Sequence, residues 1–125
     1  MQSVRRSEVN IMTLTENEYN NEVEFLVEVT LDEIADELEY DYDPGDLVHE
    51  AVTETVEWHD WFVNRQDPSL YLSIIEHTAG DVEGAWSIGQ QKDTFTEAIK
   101  TIAFFAFRDH VYYDAYDEAW EIVRS

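Results

Sequence analysis

The sequence predicts an all-α fold, a compact bundle of about four helices with a long loop before the C-terminal helix. Three observations carry this. Apolar residues recur at three- and four-residue spacing along four segments. Helix-starting chemistry stands in front of two of them, in Thr15-Glu16-Asn17-Glu18 and Asp67-Pro68. Of the 125 residues, 44% are hydrophobic, with four Trp, seven Tyr and six Phe, enough for the core of one domain.

Residues 1–14 are expected to form a flexible leader to a single acidic helical domain over 15–125. The leader carries Arg5 and Arg6, shows no periodicity and lacks the apolar stretch of a signal peptide; Met12 is a second candidate start. Thr15 and Glu18 then make a capping box. It opens a helix running to about Tyr40, with Val23, Leu26, Val27, Leu31, Ile34 and Leu38 inward. Val27-Glu28-Val29-Thr30 also alternates as a strand does, so a break near Thr30 stays open. Asp41-Tyr42-Asp43-Pro44-Gly45 is a turn. A second helix is expected from about Asp46 to Val63, burying Leu47, Val48, Ala51, Val52, Thr55, Trp58, His59 and Phe62.

Asp67 and Pro68 suit the cap and first position of a short helix through Leu70, Tyr71, Ile74 and Ile75. Thr78 to Lys92 holds three of the four glycines and reads as a long loop, pinned by Trp86 and Ile88. The last helix starts around Asp93-Thr94-Phe95 and presents Phe95, Ala98, Ile99, Ile102, Ala103, Phe105, Ala106, Tyr113, Tyr116, Ala119, Trp120 and Val123. Its run Ile102 to Phe107 is apolar all round, which places it centrally or against a second chain. A homodimer through Ile102, Phe105 and Ala106 is the corresponding expectation.

The charge is lopsided: 29 carboxylates face seven Lys and Arg, for a formal net charge of −22. Such density destabilises a compact chain by self-repulsion and repels nucleic acid and anionic lipid, so the expected partners are basic. The carboxylates are also ordered. Glu24, Glu28, Asp32 and Asp36 form an (i, i+4) ladder on the first helix, joined by Glu22, Glu33, Glu37 and Glu39. Glu50, Glu54, Glu57 and Asp60 continue on the second, and Asp114, Asp117, Glu118 and Glu121 on the last. Neither of the first two helices holds a Lys or Arg. Ladder neighbours lie about 6 Å apart along the axis, and duplex DNA carries roughly one charge per 1.7 Å. Two or three such faces side by side approach that density.

Catalytic constellations are sparse. The absence of cysteine excludes disulfides and thiolate chemistry. His49, His59, His77 and His110 make no metal-ligating spacing on one helical face, so no metal and no cofactor are expected. His110 and Asp114 stand four apart, a surface pair as readily as a site. Asp41 to Asp46 departs from a calcium loop: glycine comes one place early, and Val52 stands where the bidentate Glu belongs. The Trp58-His59-Asp60 cluster reads as core, with Trp58 and Phe62 inward and His59 at the edge. The expectation is a protein that is not an enzyme.

Gly45-Asp46-Leu47-Val48-His49-Glu50-Ala51-Val52, the Trp/Tyr-rich stretch through Ile75, the following loop and the long helix ending Tyr116-Asp117-Glu118-Ala119-Trp120-Glu121 together resemble the Ocr-type antirestriction proteins of phages. The likeness covers about residues 45 to 123, without the acidic C-terminal tail of that family. It implies a small acidic helical dimer that imitates bent DNA and blocks a restriction enzyme. The functional expectation is therefore a DNA-mimic inhibitor occupying the DNA groove of a host defence enzyme, in the cytoplasm, the host's if the chain is viral. The alternative is an ordinary domain with the acidic shell of a salt-loving organism.

Overall fold

A computed structural model describes residues 14–39 and 43–124; Met12, most of the leader, and Tyr40, Asp41 and Tyr42 of the predicted turn lie outside the described residues. The fold is all-α, with six α-helices and one 3-10 turn and no strand among the described residues.

Helix α1 spans Glu16–Ile34. The predicted capping box is present: Thr15 Oγ1 accepts from Glu18 N–H at 3.1 Å and Glu18 Oε1 accepts from Thr15 N–H at 2.9 Å. The strand-like run does not break the helix, because Val23, Leu26, Val27, Thr30 and Ile34 still form one buried stripe. The helix ends at Ile34, earlier than expected, and the chain continues through a 3-10 turn at Glu37–Glu39 that buries Leu38.

Helix α2 covers Gly45–Glu57 and stops short of the predicted Val63. His59 is extended, and its Nδ1 accepts from Trp61 N–H at 3.1 Å, capping a separate turn, α3, at Asp60–Val63. That break changes which tryptophan is core. Trp61 and Phe62 enter the interior, while Trp58, expected inside, is 72% exposed. Helix α4, Pro68–His77, starts on Asp67 as expected, with Oδ1 accepting from Ser69 N–H at 3.0 Å.

The predicted loop at Thr78 to Lys92 contains a helix, α5, at Val82–Gly89, capped by Asp81. Its glycines serve close packing. A Cβ on Gly80 would stand 2.0 Å from the Ala106 carbonyl oxygen, and one on Gly89 would strike Ile102 and the Ala98 carbonyl. Trp86 and Ile88 do not pin the segment; they are exposed, and Ala85 and Gly89 face inward.

Helix α6 runs Phe95–Arg124 and is the axis of the molecule. Ile99, Ala103, Phe107, Val111, Ala115 and Ala119 recur every four residues and join the main core with α1, α2 and α4. A second stripe, Ile102 and Ala106, is buried against Ala85 of α5. That explains the run apolar on all sides, and it leaves Ile102 and Ala106 inaccessible to the second chain expected there. Phe105 is half-buried, with the Arg108 guanidinium 4.6 Å from its ring centre. Phe95 and Tyr113, also read as inward, are exposed. At the centre Tyr19, Trp61 and Phe107 meet, with ring centres 5.3 Å apart for Trp61–Phe107 and 5.6 Å for Tyr19–Phe107.

Candidate functional site: the acidic clefts

All twelve carboxylates picked out from the sequence are exposed, and the fold sorts them into groups. Helices α1 and α6 run in the same direction. Tyr19 meets His110 near one end, Glu24 and Glu28 face Asp114, Asp117 and Glu118 along the middle, and Leu31 lies by Glu121 and Ile122 at the other. The cleft between them has a volume of ≈ 450 Å³ and is lined by those five carboxylates and Val27.

Asp32 extends the row on α1 and Glu121 on α6. Seven carboxylates thus fall within about 12 Å of helix axis, at about 1.5 Å of rise per residue. That is roughly one charge per 2 Å, close to the one per 1.7 Å of duplex DNA.

A second cleft separates the end of α1 from α2, which runs antiparallel to it. Glu33, Glu37, Glu50 and Glu54 line it over Leu47 and Ala51. Glu33 and Glu37, secondary members of the predicted ladder, are here on equal terms with Glu50 and Glu54. Asp36 lies beyond the end of α1, so the (i, i+4) ladder stops at Asp32. Asp60 opens α3 and accepts from the Asn64 side-chain amide. Glu57 turns to another groove, shared with Lys92, Lys100 and Glu97, and leaves the acidic row. Helix periodicity alone does not reveal that, because Lys92 and Lys100 come from 35 and more residues later.

The charge is uneven. None of α1, α2, α4 and α5 contains Lys or Arg, but α1 holds seven carboxylates and α2 four, whereas α4 and α5 hold one each, Glu76 and Glu83. Local energetics oppose this placement. Asp32 and Glu33 sit in the last turn of α1, and Glu54 and Glu57 in that of α2, with no basic residue in either turn. Carboxylates there face the negative end of the helix dipole.

The histidines support the fold. His59 Nδ1 is spent on the α3 cap, so its Nε2–H points to Glu22 Oε2 at 3.3 Å. Burial lowers the His59 pKa, and the Glu22 contact opposes that only in part. Tyr19 donates to His110 Nδ1 at 2.8 Å, and His110 Nε2 lies 3.5 Å from Asp114 Oδ2, so the predicted His110–Asp114 pair exists and anchors one cleft residue. Burial pushes the Tyr19 hydroxyl well above its ordinary range. His77 Nε2 contacts the Leu14 carbonyl oxygen at 3.0 Å. Asp43 Oδ1 accepts from Gly45 N–H at 2.8 Å, so this carboxylate is used at the start of α2. Among the described residues no group of three or more His, Asp and Glu is arranged to hold a metal ion, and no helix is long and apolar enough to cross a membrane.

No family model, curated protein or solved structure matches the chain.

Proposed function

We propose that the protein is a DNA mimic: an inhibitor, not an enzyme, that places its acidic clefts in the DNA-binding groove of a restriction or other defence enzyme in the cytoplasm. The observation that carries this reading is the charge density of the α1–α6 pair, seven carboxylates at about the axial spacing of duplex phosphates. A basic groove shaped for DNA meets there a rigid surface of similar charge, and its counterions are released on contact. The placement of acids against two helix dipoles supports the same reading, since a surface costly to the fold is retained for what it contacts.

The competing reading, the acidic shell of a salt-requiring protein, draws on the same shortage of lysine. It calls for acids spread evenly, and their concentration on α1, α2 and the end of α6 favours mimicry. A circular dichroism titration separates the two: a mimic stays folded in 10 mM salt, a salt-requiring shell unfolds.

The direct test is displacement of fluorescent duplex DNA from a purified type I restriction enzyme. The expected result is displacement that weakens steeply between 50 and 300 mM salt. It should be lost in the quadruple variant Glu24→Gln, Glu28→Gln, Asp114→Asn, Asp117→Asn. Binding to neither this enzyme nor other DNA-binding defence enzymes at any salt concentration would sink the proposal.

A further inference from the structure

A further groove, between α1 and the α2–α3 junction, differs in kind from the acidic clefts. Phe25, Val29 and Trp58 line it, together with buried Leu26 and Trp61. Phe25 is 57% and Trp58 72% exposed, large apolar surfaces in a chain whose other solvent-facing positions on these helices are mostly polar. The exposure of Trp58 is built in. The extended backbone at His59 ends the helix and sends Trp61 inward in its place.

Two half-buried aromatics carry a cation, Arg108 at 4.6 Å from the ring centre of Phe105 and Arg124 at 4.9 Å from that of Trp120, whereas Trp86, Phe95 and Tyr113 are exposed singly on other elements. No described cation covers Phe25 or Trp58. Their neighbours around the groove are instead Glu33, Glu54 and Asp60, with Glu22 held by His59. The groove follows α1 from Glu22 to Glu33, about 16 Å, and its volume of ≈ 560 Å³ falls within the range of ligand-sized pockets.

We propose that this groove docks a basic segment of a partner protein. One bulky apolar side chain of that segment sits between Phe25 and Trp58, and flanking Lys or Arg reach Glu33, Glu54 and Asp60. Charge complementarity selects the occupant. A second copy meeting this face through a two-fold axis would bring the same carboxylates against themselves, whereas a basic segment neutralises them. Trp is also among the residues most enriched in binding hot spots. The inference does not depend on DNA mimicry, because it rests on the aromatics and their rim rather than on phosphate-like spacing.

The test is selection of random 16-residue peptides on the full chain at 150 mM salt, followed by calorimetry with the enriched peptides. Enriched sequences should carry Lys or Arg on both sides of a bulky apolar residue. Trp58→Ala and Phe25→Ser change exposed positions, and each should weaken binding at least tenfold with an unchanged circular dichroism spectrum. Glu33→Gln with Glu54→Gln should weaken it and flatten its salt dependence, while Asp117→Asn with Glu118→Gln should alter it less than twofold. The proposal is overturned if no peptide is enriched, if Trp58→Ala binds the peptides as tightly, or if that variant instead abolishes self-association, which would assign the face to a second copy. Displacement of DNA by Trp58→Ala, measured separately, reports on mimicry alone.

Discussion

At the scale of single residues, three positions carry strain or titration that can be read out. Thr30 is fully buried on α1, and its hydroxyl has no hydrogen-bond partner. An unsatisfied buried hydroxyl costs about 1–3 kcal/mol, and Val has the same branching. Thr30→Val is therefore expected to stabilise the chain by about 1 kcal/mol in urea unfolding. Gly80 packs against the backbone of α6 with no room for a Cβ. Gly80→Ala should destabilise by about 1–3 kcal/mol, the range for overpacking, through retreat of α5. His59 has a pKa below the ordinary 6.5, first because burial disfavours its charged form. The unfolded chain then takes up a proton that the folded state resists. The stability tied to His59 is intact above pH 6.5 and is lost as pH falls through the lower, folded value. Protonation would also place a hydrogen on Nδ1, against the Trp61 N–H it accepts from. His59→Asn keeps a side-chain acceptor at the cap. It should flatten the stability profile between pH 7 and 5 relative to the parent, as followed by thermal unfolding.

At the scale of elements, the acids in the last turns of α1 and α2 oppose the helix dipoles and one another. Replacing Asp32 or Glu33 with Lys should raise the Tm by about 1–4 °C each in low salt. The gain should shrink at 1 M salt, where the Debye length is about 3 Å. If these residues serve binding, the same variants lose DNA displacement while gaining stability. What could be read locally at this scale was the capping chemistry: Thr15 with Glu18, and Asp67 with Pro68, start their helices where the side chains say they should. The break at His59 was not legible, because Trp58 and Phe62 are as well spaced for one continuous helix as for two. Helix α5 was missed because three glycines read as a loop. Gly80 and Gly89 are there to let backbone and α6 approach, a requirement set by a partner element rather than by local propensity.

At the scale of the whole molecule, a net charge of −22 makes stability depend on ionic strength. The Tm should rise as salt increases from 10 to 150 mM, because the nearest like charges in the α1–α6 cleft are screened first. The quadruple cleft variant should start from a higher Tm in 10 mM salt and show a shallower rise. An equal salt slope in parent and variant would mean that the repulsion is spread over the surface rather than concentrated in the cleft.

The sequence by itself determined the helical class, the starts of α1 and α4 on their caps, and the exposure of the twelve ladder carboxylates. These follow from short-range hydrogen bonding and from the 3.6-residue repeat. Only the tertiary structure decided which acids stand together. It set α1 parallel to α6, moved Glu57 to the lysine-bearing groove, covered Ile102 and Ala106 with α5, and exchanged Trp58 for Trp61 in the core. Each of those outcomes depends on contacts between residues distant in the chain, which helical periodicity does not encode.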